Sequence, residues 1–68
     1  MTPDQTLEYI NRNRQYLNMS GILRDAGISP AQFSDHMAGW KVARGYKSKI
    51  SIEKLWALAE VVKKLKDG

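Results

Sequence analysis

Ile22-Leu23-Arg24-Asp25-Ala26-Gly27-Ile28-Ser29-Pro30-Ala31-Gln32-Phe33 is the stretch whose reading decides the fold. Its first half carries Ile22, Leu23 and Ala26 at helical spacing. Gly27 stands where that helix should end, because a left-handed backbone is easiest for glycine. Ser29-Pro30-Ala31-Gln32 then opens a second helix. It supplies a capping hydroxyl, a proline at the first helical position and a glutamine for the reciprocal bond. The turn left between the two helices is too short for them to lie antiparallel. Leu23, Ile28 and Phe33 are placed to lock them at a steep angle. The expected unit is a helix-turn-helix over about residues 20–39, with the N-terminal end of its second helix facing outward.

Towards the N-terminus, Thr2-Pro3-Asp4-Gln5 repeats the same start signal. Leu7, Ile10 and Leu17 follow near one helical face, so this first helix is expected to end near Leu17. Tyr9 and Tyr16 mark a second side and read as half-buried packing residues. Asn18 caps the helix that holds Ile22, and Gly21 weakens it slightly. The third helix carries Phe33, His36, Met37 and Trp40, and Gly39 and Gly45 set its end around residues 39–43. Val42, Arg44 and Tyr46 alternate within the following connection, which leaves a short β-ribbon as an alternative there. Ser51 caps a last helix, with Ile50 and Leu55 as a hydrophobic staple. Ile52, Leu55, Leu58, Ala59, Val62 and Leu65 form its apolar stripe, which Trp56 and Val61 widen. Lys63, Lys64 and Lys66 sit in its last turn, where cations favour the helix dipole. The reading is a single all-α domain over residues 1–68, with four to five short helices.

A chain of 68 residues is near the lower limit for an independent core. Domains of about 60 residues bury only roughly 60% of their unfolded surface. Little room remains for a catalytic pocket as well, so no enzyme is expected. There is no cysteine, and His36 is the one histidine, so no metal site and no cofactor is expected. No serine sits in a glycine-flanked elbow, and no phosphate-binding glycine loop occurs. No apolar run approaches the roughly 20 residues that span a bilayer. The start Met1-Thr2-Pro3-Asp4 lacks a basic segment ahead of an apolar one, as a secretory signal would need. A cytoplasmic location with no membrane partner is the expectation.

The net charge of +4 is unevenly placed. Lys41, Arg44, Lys47 and Lys49 lie in one segment, with no acid between Asp35 and Glu53. The other seven basic residues are matched by the seven acids, so the whole excess sits in that segment. A concentrated basic segment suits a polyanion such as nucleic acid; a solvated loop is the alternative. Trp40 and Tyr46 interleave with it, either to stack on bases or to pack against the core.

Residues 23–39 resemble the lambda-repressor-like, or Xre-type, helix-turn-helix family. The likeness rests on the Gly27-Ile28-Ser29 turn, on Phe33-Ser34 and on Gly39. Ile50-Ser51-Ile52 with Leu55, Leu58 and Ala59 resembles that family's next helix, so the likeness covers about residues 17–66. The sequence departs from the pattern at Leu23, where a small alanine is usual, at His36, where an aliphatic residue is common, and at Met19-Ser20, where a glutamine is common.

The resemblance implies a DNA-binding transcriptional regulator of bacterial or phage type, with residues 30–39 as the recognition helix in a major groove. Ala31, Gln32, Ser34 and Asp35 are its candidate base-facing residues, and Ser29 is a candidate phosphate donor. Gln32 can pair with adenine or complete the cap of Ser29; Asp35 can accept from cytosine N4 or stay a solvated acid. Lys41, Arg44, Lys47 and Lys49 are the candidate phosphate contacts. The implied partner is double-stranded DNA, bound as a homodimer through Trp56, Val61 and the tyrosines of the first helix. The acid on the recognition helix keeps two alternatives open: a protein-interaction module of the same fold, and a nonspecific nucleic-acid binder.

Overall fold

The computed structural model describes residues 1–43 and 50–67. Among them the chain is all-helical, without strands. Helix α1 spans Pro3–Asn13 and runs into a 3₁₀ turn at Arg14–Tyr16. Helix α2 spans Met19–Ala26, α3 Pro30–Val42 and α4 Ile52–Asp67.

Local chemistry accounts for the helix ends. At α1 the Thr2 hydroxyl accepts from Gln5 N–H at 3.2 Å, and the Gln5 side-chain carbonyl accepts from Thr2 N–H at 2.9 Å. Asn18 Oδ1 accepts from Gly21 N–H at 3.3 Å and caps α2. At α3 Ser29 Oγ accepts from Gln32 N–H at 3.1 Å, and the Gln32 side-chain carbonyl accepts a longer bond of 3.5 Å from Ser29 N–H. Ser51 Oγ accepts from Lys54 N–H at 3.3 Å at the start of α4. Gly27 adopts φ +74°, the left-handed conformation. Its N–H donates to Arg24 carbonyl and Ile28 N–H to Leu23 carbonyl, the paired bonds of a Schellman ending. Ile28 and Leu23 are both buried, so the hydrophobic contact that accompanies this ending has its two partners in the core.

Helix α4 packs across α1 and α2, and α3 packs on α2. One core cluster joins all four helices: Leu7 and Ile10 of α1, Ile22 and Leu23 of α2, Phe33, Met37 and Trp40 of α3, Leu58 and Val62 of α4. Each such side chain stabilises by about 1.5–3 kcal/mol when fully buried. A cap contributes only about 1 kcal/mol. Packing therefore carries the fold, and the caps fix where its elements begin. Thr6 is fully buried, but its hydroxyl donates to Thr2 carbonyl at 2.9 Å.

The structure corrects several expectations. Helix α1 stops at Asn13, short of Leu17, because the backbone tightens into the 3₁₀ turn. Tyr16 on that turn is 78% exposed rather than half-buried, whereas Tyr9 is half-buried with Lys66 Nζ 5.5 Å from its ring centre. Helix α3 ends at Val42, within the expected range 39–43 but three residues beyond Gly39, which therefore lies inside the helix. Val42, one member of the alternative β-ribbon, is thus helical, while Arg44 and Tyr46 lie outside the described residues. The stripe on α4 is buried only at its centre. Ile52 and Leu65 at its two ends are exposed.

Candidate nucleic-acid interface

Helix α3 is two-sided. Phe33, His36, Met37 and Trp40 are buried at the spacing that puts them on one face. Ala31, Ser34, Asp35, Ala38 and Lys41 are exposed on the other. The three-residue connection 27–29 between α2 and α3 positions that face from the α2 side. A long-range bond holds it from the α1 side: Trp40 Nε1 donates to Asp4 Oδ1 at 3.2 Å.

The candidate base-facing residues Ala31, Ser34 and Asp35 therefore lie on one exposed surface. Gln32 is half-buried and its side-chain carbonyl is engaged in the cap. Its amide N–H₂ is not consumed by that bond. Ser29 is exposed, and its hydroxyl accepts from Gln32 N–H while its own O–H remains a donor. Lys41 is exposed at the last turn of the same helix. Arg44, Lys47 and Lys49, with Tyr46, lie outside the described residues.

Two aromatic or titratable candidates turn inward. Trp40 is 3% exposed, so stacking on bases is excluded for it; it is a core residue with its polar atom bonded to α1. His36 is only 5% exposed. Burial lowers its pKa below the ordinary imidazole value, against the opposing pull of the Asp35 and Asp4 carboxylates. Among the described residues no group of side chains is arranged to hold a metal ion. No helix among them is long and apolar enough to cross a membrane.

The fold brings together a second surface that the sequence reading did not assemble. Between α2, the 3₁₀ turn and the C-terminal half of α4 lies an open groove of about 830 Å³. Leu17, Ile22 and Val61 form apolar parts of its lining, and Tyr16 and Leu65 stand at it largely in solvent. Arg24 and Asp25 reach it from α2, and Lys64 from α4. In the sequence Lys64 already had an explanation in the helix dipole and Leu65 in the apolar stripe. The remaining signal is that Leu65 carries the apolar stripe into the last turn of α4. Of the candidate dimer contacts, Tyr9, Tyr16 and Val61 line this groove and Trp56 does not. Five residues apart on a helix, Trp56 and Val61 point about 140° apart.

Comparison with family models, with curated proteins and with solved structures returns no match to this chain.

Proposed function

We propose that this chain is a DNA-binding transcriptional regulator with a lambda-repressor-like helix-turn-helix. Helix α3 enters the major groove, and the basic segment 41–49 lies along the phosphates. The observation that carries the reading is the outer face of α3. It presents short side chains, Ala31, Ser34, Asp35 and Ala38, over two turns, and then Lys41. Short side chains let a helix approach base edges closely in a groove about 12 Å wide. Alanine methyls suit thymine methyls, the Ser34 hydroxyl suits either donors or acceptors, and Asp35 suits cytosine N4. The charge excess begins where that face ends, at the position where flanking phosphates would run.

One observation favours a second reading. Before Lys41, the only charged residue on the exposed face of α3 is the acid Asp35. A protein-interaction module with the same helices would carry such a face equally well. Titration of labelled duplexes of mixed and upstream genomic sequence, at several salt concentrations, separates the readings. The DNA reading requires affinity that falls steeply with salt and differs between sequences. A flat or absent response leaves the interaction module. A salt slope without sequence preference leaves a nonspecific binder acting through its basic segment.

A further inference from the structure

We propose that the groove between α2 and α4 is a docking site for an acidic amphipathic helix of a different protein. The groove has the two properties that such a segment needs. Its lining is apolar at Leu17, Ile22 and Val61, and beside them Tyr16 and Leu65 stand 78% and 55% exposed. Large apolar side chains left in water next to an apolar hollow gain from an apolar cover. The groove is also basic. Arg24 and Lys64 line it against one acid, Asp25. A smaller hollow of about 460 Å³ shares Tyr9 with it and adds Arg12 and Lys66 against Glu8. Over both hollows four cations meet two acids. Among the described residues no ion pair engages Arg24 or Lys64, so both cations are available to incoming carboxylates.

The fold selects a helix as occupant. Among the described residues there is no strand whose edge could take up an extended segment, and the trough between two helices accepts a third. Charge selects an acidic partner over a second copy of this chain. The chain carries +4, so another copy would bring more of the sign that the groove already has. No residue of α3 lines either hollow, so occupancy leaves the outer face of that helix open. The inference goes beyond the DNA reading and does not rest on it. Either can fail without the other.

The test is selection from a phage-displayed library of random peptides about 12 residues long, some three helical turns, against the immobilised full chain. Selected sequences should carry apolar residues at i, i+3 or i+4 and i+7, with more Asp and Glu than Lys and Arg. The tightest of them, made as a free peptide, should shift amide NMR signals of α2 and α4 and leave those of α3 in place. Arg24→Glu combined with Lys64→Glu should weaken that peptide about tenfold or more. The same peptide with its acids replaced by Lys should bind the double variant better than it binds the unaltered chain, a reversal that an unfolded chain would not give. Leu65→Ser should weaken the original peptide and leave its charge preference intact. A library that yields no binder, or binders without acidic bias, overturns the proposal. So does a peptide indifferent to the double substitution, or one that shifts the signals of α3. Displacement of the peptide by a single-stranded oligonucleotide would assign the groove to nucleic acid instead. A doubled mass of the chain that the peptide reverses would assign it to a second copy, and either result also overturns the proposal.

Discussion

At the scale of single residues, Gly27 and His36 hold the informative positions. The left-handed backbone of Gly27 ends α2 and sets the direction in which α3 departs. A β-carbon added there meets nothing within 4 Å, so the penalty for a side chain is one of backbone conformation alone. Gly27→Ala is expected to cost about 1–2 kcal/mol and Gly27→Asn clearly less, read from urea unfolding. Equal stability of all three chains would mean that α2 ends in some other way. His36 makes stability depend on pH. Burial keeps its folded pKa below the 6.5 of an unperturbed imidazole. Between those two values the unfolded chain binds more protons than the folded one. Stability is therefore highest above the unfolded value, falls as pH drops through it, and levels off once the folded imidazole is protonated too. His36→Gln, which does not titrate, should flatten the change in urea midpoint between about pH 8 and pH 5. An unchanged profile would assign that dependence to the carboxylates.

At the scale of elements, the helix starts were legible because a cap is local. Thr2 with Gln5, Ser29 with Gln32, and Asn18 with Gly21 are each three positions apart, so composition in a short window specifies the bond. What escaped the sequence depends on partners far along the chain. The bond from Trp40 to Asp4 joins residues 36 positions apart. Nothing in the local pattern indicates it, or that Tyr16 and Leu65 stand largely in solvent. The same separation of scales gives a test of Gln32, which is both cap and candidate base reader. Gln32→Glu retains the capping box and places an acid at the positive end of the α3 dipole. Its folding stability should stay within about 0.5 kcal/mol of the unaltered chain. Its affinity for duplex DNA should fall, since the amide donor is gone and a carboxylate would face phosphates. Unchanged affinity and base preference in a binding-site selection would make Gln32 a cap only.

At the scale of the whole molecule, the candidate interface was legible in part. The turn and the caps predict which helix is presented, and the buried face of α3 follows from its spacing. The outward turn of Lys41 is seen in the structure, whereas Arg44, Lys47 and Lys49 are known from the sequence alone. Their expected role is electrostatic. Arg44→Ala with Lys47→Ala should weaken binding to all duplexes alike and lower the salt slope by about one for each phosphate that either side chain had neutralised. An unchanged slope would show that the segment does not face DNA. The charge distribution marked this segment because no acid intervenes there. It did not mark the groove, because Arg24 and Asp25 on α2 meet Lys64 on α4 only once the fold brings these helices together.

The two tryptophans occupy opposite environments, and light distinguishes such environments. Trp40 is sunk in the core with its ring N–H on the Asp4 carboxylate, and Trp56 is 48% exposed. Their emission should separate into a blue component from Trp40 and a redder one from Trp56 that external quenchers remove first. With Trp56 replaced by phenylalanine, the remaining fluorophore sits on α3 itself, bonded to α1. Its colour then becomes an intrinsic gauge of whether α3 is seated against the body of the protein.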